Sequence, residues 1–227
     1  MTPGEGGDAA GAVMDTWDRV VALAERIELG DWSRPTPCPD VSVGALVAHV
    51  AMVAPPGPDQ ERGPQRLLDG LRAARRAQAV RLSDETRSRR ILRAACLDMW
   101  VHAADLATTL GEPLDVDEDS PAVLEACRYL LGLTPHLFKR TGAGEDATLT
   151  IAVRGLGEQG MALKVRAGRA VWSPQHDPGG DAVTVTPAAF LLLLSGRGDP
   201  EYWRDAGALE WSGAGGEEFV RKARIFG

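Results

Sequence analysis

The sequence predicts a mixed fold class, in which an N-terminal antiparallel helix bundle is followed by a small α+β domain. Over roughly the first 140 residues, the apolar residues recur at steps of three and four, which is the spacing of amphipathic helices. After "RTGAGED" they alternate with a period of two between glycine-containing connections, which is typical of strands. We therefore expect the bundle over 12–141 and the α+β domain over 146–227.

Five helices are expected in the bundle, each marked by capping or breaking residues. Gly30 supplies a C-cap for the first, and the proline-rich "SRPTPCPD" separates it from the second. Ser42 or Asp40 can cap the second helix, and Ser120 with Pro121 begins the fifth. The expected ranges are about 13–30, 40–54, 62–82, 86–111 and 120–139.

The second domain is expected to contain five strands and two helices. "PAAFLLLLSG" predicts a buried helix and "GEEFVRKARIF" a closing helix. The expected strands are "ATLTIAV", "MALKVRA", "AVWS", "DAVTVT" and "GALEW".

The composition narrows the classes of partner. With 44% hydrophobic and 25% charged residues the chain has the composition of a globular protein, and its net charge of -7 gives no support to nucleic-acid binding. No apolar run approaches the roughly 20 residues of a membrane-spanning helix, and no signal peptide is evident. Three cysteines without a CxxC spacing argue against a disulfide framework. We expect a cytoplasmic monomer or small homo-oligomer that acts on a small molecule and binds neither nucleic acid nor membrane.

The stretch "LDMWVHAADL" carries the first chemical signal. Asp98 and His102 are four residues apart, and Asp105 follows three residues later, so a helix places all three on roughly one face. A metal site, a hydrogen-bonded core histidine and a solvated face each fit this pattern. A carboxylate and an imidazole at this spacing can meet one transition-metal ion at about 2.0–2.2 Å. His49, inside the second helix, is the natural third ligand, and three protein ligands would leave an open, catalytic position.

Two segments resemble those of a known family. "TPCPDVSVGALVAHV" and "DMWVHAADLATTLG" are similar to motifs of the DinB-like superfamily, and more closely to those of the mycothiol-dependent maleylpyruvate isomerase family. "GGDAVTVTPAAFLLLLSGRGD" is similar to that family's second, sterol-carrier-like domain. The resemblance implies zinc-type ligands at His49, Asp98 and His102, and mycothiol as a cosubstrate.

Three departures from the family pattern bear on the site. Asp98 stands where the family has glutamate, so an ion must lie closer to that helix or be held more loosely. The tryptophan of the first motif is absent, with Val41 and Ser42 in its place. Asp98 follows His49 by only 49 residues, whereas many relatives have a longer excursion there.

Two further residues are candidates for a catalytic role. Asp105 can hydrogen-bond a ligating histidine, or it can be a solvated or helix-pairing residue. Arg197, between two glycines, can bind a substrate carboxylate as a bidentate fork, or pair with Asp199 or Asp205.

The chemistry of such a site is thiol activation. A free thiol with a pKa near about 8.5 is mostly protonated at neutral pH, and a bound dication stabilises the thiolate. We expect a metal-dependent enzyme that uses a mycothiol-type thiol for isomerisation, addition or S-transfer on a small electrophile. The alternatives are a metal-dependent hydrolase or lyase of specialised metabolism, and a non-catalytic binding protein with a degraded site.

Overall fold

The structure, a computed structural model, describes residues 9–52, 63–82, 88–112, 117–156, 161–173 and 180–225. Its internal contacts divide the chain into two compact units, Met1–Val116 and Asp117–Gly227. The first unit is helical, and the second combines helices with a five-stranded sheet. The predicted fold class is confirmed.

The first unit packs four helices around an apolar core. α1 contacts α3 and α4, and α2 contacts the same two helices. The core residues are mostly leucine, valine and alanine from every helix, among them Val13, Leu46, Leu71 and Leu106. A short 3₁₀ helix, Leu29–Ser33, lies between α1 and α2. The four helices are α1 (Ala9–Ala24), α2 (Val43–Ala51), α3 (Gly63–Leu82) and α4 (Arg89–Leu110).

The caps explain where two of these helices begin and end. The Ser42 hydroxyl accepts a hydrogen bond from the Ala45 amide at 3.3 Å, so Ser42 is the N-cap of α2, as one of the two predicted alternatives had it. Gly111 ends α4 in the left-handed conformation, with φ of 70°.

The predicted end of the first helix is wrong. α1 ends at Ala24, and Gly30 lies in the 3₁₀ helix rather than at a C-cap. Ile27 continues the helical spacing and is buried, although it lies beyond the end of the helix. Periodicity therefore located the core residue correctly but not the backbone conformation.

The second unit is built on one sheet with the strand order β3-β2-β1-β4-β5. β1 and β4 pair in parallel, and the other neighbours pair antiparallel. Leu149, Ile151, Leu163 and Val183 occupy one face of the sheet and are fully buried or nearly so. The strands are β1 (Thr148–Val153), β2 (Met161–Arg166), β3 (Arg169–Ser173), β4 (Ala182–Val185) and β5 (Leu209–Ser212).

In the part of the second unit that the structure describes, four helices accompany the sheet. They are α5 (Pro121–Arg140), α6 (Pro187–Leu194), α7 (Pro200–Asp205) and α8 (Gly213–Lys222). Ser120 caps α5 and Pro121 is its first residue, as predicted. α7 was not predicted, because six residues are too few to show a helical period.

α5 groups with the sheet, whereas the sequence analysis assigned it to the bundle. It contacts α6 and β3 within the second unit, and the Cys127 thiol lies 3.8 Å from the Pro187 carbonyl oxygen of α6. An amphipathic pattern shows that a helix has an apolar face but not which element covers it. The ranges 12–141 and 146–227 stay a prediction about domain architecture.

The described helices include none with the length and apolarity needed to span a membrane.

Candidate metal centre

α4 places Asp98, His102 and Asp105 at different depths along one face. The exposed fraction of the side chain falls from 57% at Asp98 to 12% at His102 and 1% at Asp105. The residues between them, such as Met99, Val101 and Ala104, are buried and fix the orientation of the helix. The polar face therefore runs from the surface into the interior of the first unit.

α2 supplies the third candidate metal ligand, His49. His49 lies in the last turn of this helix and is exposed, although most of its neighbours on the helix are buried. Its ring and that of His102 have centroids 5.3 Å apart, with their planes at 75°. The packing of α2 against α4 thus brings the two histidines together.

The three side chains present a set of metal ligands. One ligand atom from each of His49, Asp98 and His102 lies within 4.8 Å of the other two. The distance from Nε2 of His102 to Oδ1 of Asp98 is 3.5 Å. Tetrahedral ligands with bonds of about 2.1 Å lie about 3.4 Å apart, so this pair already has a suitable separation. Small side-chain movements would bring in the third ligand atom.

The charge of His102 depends on its burial and on two neighbouring carboxylates. Both ring nitrogens are buried and have no hydrogen-bond partner among the described residues. Nδ1 lies 3.9 Å from Oδ2 of Asp105, and Nε2 faces Asp98. Burial lowers the pKa of His102, but the carboxylates of Asp105 and Asp98 outweigh it and raise this pKa to about 9. The surroundings of the ring therefore favour a positive charge.

This donor set fits a divalent transition metal. Two imidazoles and one carboxylate are ligands that zinc and similar ions accept. The two unpartnered nitrogens of His102 gain a partner if Nε2 binds an ion and Nδ1–H donates to Asp105. Because His49 and Asp98 are exposed, a small molecule could reach an ion held by these three residues.

Comparison with known proteins gives the site a context. Residues 13–66, which include His49, match the family model described as the mycothiol maleylpyruvate isomerase N-terminal domain. The resemblance inferred from the sequence is confirmed. Among curated proteins, none matches the chain.

Solved structures of the same description resemble the whole fold. A crystal structure of the mycothiol-dependent maleylpyruvate isomerase matches with a TM-score of 0.51 and 15% identity, over 90% of this chain and 92% of that one. The structure of a histidine-to-alanine mutant of that isomerase matches with the same TM-score and coverage at 14% identity. At this identity the likeness establishes the fold alone.

Arg197 belongs to the second unit, in the turn after α6. It is 7% exposed, and its Nη1 donates to the Ser195 carbonyl oxygen at 2.5 Å. Its backbone amide donates to the Leu192 carbonyl oxygen. These contacts hold the side chain against the backbone of its own turn, and its role as a carboxylate ligand stays a prediction.

The first unit contains one feature that the sequence pattern did not predict. A cavity of about 260 Å³ lies beside the first turn of α2, between the 3₁₀ helix and the start of α3. The only sequence signal for it is a glycine, Gly44, in an otherwise apolar helix. The lining residues are Trp32, Ser33, Ser42, Gly44, Ala45, Pro64 and Leu67.

Proposed function

We propose that this protein is a metal-dependent enzyme that uses a low-molecular-weight thiol of the mycothiol type to isomerise a small electrophilic substrate. The observation that carries the proposal is the set of three ligand atoms from His49, Asp98 and His102 within 4.8 Å of one another. The family match over residues 13–66 and the likeness to the isomerase structures support the thiol and the reaction type. Addition and S-transfer use the same first step.

A divalent ion, for which zinc is our first choice, would stabilise the thiolate of the cosubstrate at neutral pH. Asp98 contributes the negative charge that favours a dication over a neutral molecule at this position. His49 and His102 contribute neutral imidazole nitrogens, which leave the bound ion with a net positive charge. The exposed side of the ligand set gives thiol and substrate a path of approach.

Asp105 is proposed to orient His102. Its buried carboxylate lies 3.9 Å from Nδ1, close enough to accept the Nδ1–H after a small rotation of either side chain. Holding the proton on Nδ1 leaves the lone pair on Nε2, the nitrogen that faces Asp98. Asp105 would thereby act through His102.

The substrate-binding role proposed for Arg197 is recognition of a carboxylate. A guanidinium can hold both oxygens of a carboxylate through two parallel hydrogen bonds. In isomerisation the carbon–sulfur bond forms, the former double bond rotates, and the carbon–sulfur bond breaks again. In addition or S-transfer to the double bond the carbon–sulfur bond remains, and the adjacent carbon takes up a proton.

We place the enzyme in the cytoplasm, as a monomer or small homo-oligomer that acts on a small molecule. The two other functions considered from the sequence, a hydrolase or lyase and a binding protein with a degraded site, gain no support from the isomerase-type relatives.

Cobalt substitution tests the proposal. Protein loaded with Co²⁺ should show visible absorption bands that change on addition of mycothiol, with a new sulfur-to-cobalt charge-transfer band. His102→Ala should lose the bands, whereas His136→Ala, which removes an exposed histidine from α5, should keep them. Maleylpyruvate, with and without a chelator, is the first substrate to assay. Cobalt absorption bands that do not change on addition of mycothiol would contradict the proposal.

A further inference from the structure

The outward-facing residues of α2 connect the cavity to His49. Ser42, Ala45 and His49 follow one another at steps of three and four, so they share one face of the helix. They are half-buried or exposed, while nearly all other residues of α2 are buried. Ser42 and Ala45 line the cavity, and His49 lies about 6 Å further along the helix axis than Ala45.

The cavity wall is mainly apolar. Leu67 is almost fully buried, the Trp32 ring is half-buried beside it, and Pro64 and Ala45 add further apolar surface. The lining side chains carry three groups able to form hydrogen bonds, which are the hydroxyls of Ser33 and Ser42 and the indole N–H of Trp32. A ligand rich in hydroxyl groups would leave most of them unpaired against this wall, which costs free energy. An apolar group fits better.

The absence of a side chain at Gly44 keeps this space open. A Cβ at this position would lie 3.9 Å from Cε3 of Trp32 and 4.0 Å from Cδ1 of Leu67. It would also lie 3.2 Å from the Trp32 carbonyl oxygen, which is closer than most such contacts. A methyl group here would therefore occupy the space between the indole ring and the leucine.

The volume limits the size of the group. About 260 Å³ is slightly below the roughly 300–1,000 Å³ of pockets that enclose drug-sized ligands. A single aromatic ring or a short branched alkyl group is the right size.

We propose that this cavity binds the apolar end of the substrate, while the reactive end of the same molecule reaches the ligand set at His49. The proposal rests on the proposed function and adds to it a substrate class: a small, elongated electrophile with a compact apolar end. The distance along α2 requires a spacer of about three to five bonds between the two ends.

The first test uses metal-free protein and indole as the probe. Titration followed by amide NMR should give saturable shifts at Gly44 and Ala45. Gly44→Ala and Ala45→Leu should each weaken binding at least tenfold, because both fill the cavity. Ala45 is half-buried on the outward face, so Ala45→Leu should fold even if Gly44→Ala does not. Gly132→Ala, which adds a methyl with no atom within 4 Å, should bind indole like the wild type.

The second test measures the reach from the cavity to the metal. Zinc-loaded protein is titrated with benzyl mercaptan, 2-phenylethanethiol and 4-phenylbutanethiol. Only the second and third of these thiols have at least three bonds between ring and sulfur, so affinity should rise after benzyl mercaptan in the wild type, and Ala45→Leu should remove that rise. Zinc affinity, measured separately, should be the same in wild type and Ala45→Leu.

The outcomes separate this inference from the proposed function. Saturable indole binding without zinc binding would support the cavity and refute the metal site. Zinc binding without indole shifts at Gly44 and Ala45, or a spacer effect that survives in Ala45→Leu, would overturn the inference and leave the metal site intact.

Discussion

Asp98 offers the sharpest test of the ligand set, because its charge and its length can be changed separately. Asp98→Asn keeps the shape of the side chain and removes the negative charge. Two unit charges about 4 Å apart in water interact by about 1 kcal/mol, so a carboxylate and a dication interact by about 2 kcal/mol. The side chain of Asp98 is 57% exposed, which makes this water-like value the appropriate minimum. Zinc affinity should therefore fall at least about 30-fold.

Asp98→Glu restores the charge with one more methylene. It should retain zinc within about tenfold of the wild-type affinity. Its turnover should change more than its affinity, because the ion moves relative to the thiol and substrate. Calorimetric titration with zinc and a coupled turnover assay measure the two effects.

The matched control is Asp15→Asn, an exposed aspartate on α1 outside the ligand set. This variant should bind zinc like the wild type. All three variants should unfold within about 0.5 kcal/mol of the wild type, as is usual for exposed side chains. Wild-type zinc affinity in Asp98→Asn would refute the assignment of this residue as a ligand.

Three other predictions concern stability and reactivity. Gly216→Ala should destabilise the protein by about 1–3 kcal/mol, because its Cβ would lie 2.6 Å from the Ala182 carbonyl oxygen. Gly132→Ala, whose Cβ would have no atom within 4 Å, should stabilise α5 by up to about 1 kcal/mol. Equal changes in the free energy of unfolding of the two variants, measured by chemical denaturation, would contradict both expectations. In metal-free protein the pKa of His102 is raised to about 9, so its contribution to stability is complete below about pH 6.5 and is lost as the pH rises through 9. The difference in melting temperature between wild type and His102→Gln should shrink over that interval; a constant difference would contradict the raised pKa. Burial raises the pKa of the Cys127 thiol, so a thiol reagent should label it only after unfolding, as peptide mass spectrometry can show.

The helices were predictable where capping residues and a long apolar period agreed. Ser42, Ser120 and Gly111 mark ends that the structure has. The end of α1 was not predictable, because Ile27 continues the apolar period into a segment that is no longer helical. The elements that pack against α5 could not be predicted either, because an amphipathic pattern does not show which element covers the apolar face.

The candidate site, like the helices, was predictable only in part. The spacing of Asp98, His102 and Asp105 was sufficient to place them on one face of α4. It could not give their depths, which depend on how α4 packs and which expose Asp98 while burying Asp105. His49 was proposed as the third ligand because it is a histidine inside an apolar helix, and the family resemblance implied the same residue. Nothing in the local sequence shows that the end of α2 lies close to the middle of α4. The cavity beside Gly44 is formed by three separate elements, the 3₁₀ helix, α2 and α3, so the sequence gives little indication of it.

The stability of the fold should not depend on the metal. The first unit has its own apolar core, unlike a zinc finger, whose folding requires the ion. His49→Ala should therefore lose metal and remain folded, with a cooperative thermal transition. Complete unfolding of this variant would show that the site is structural rather than catalytic.

The most direct test of the central claim is the metal content of the purified protein. The test compares the wild type with His102→Ala and His136→Ala. Each protein is treated with chelator, exposed to zinc and freed of excess ion by gel filtration. Its zinc content is then measured by elemental analysis. We predict about one zinc per chain in wild type and His136→Ala, and none in His102→Ala. A wild-type protein that is folded and still free of zinc after this treatment would contradict the account.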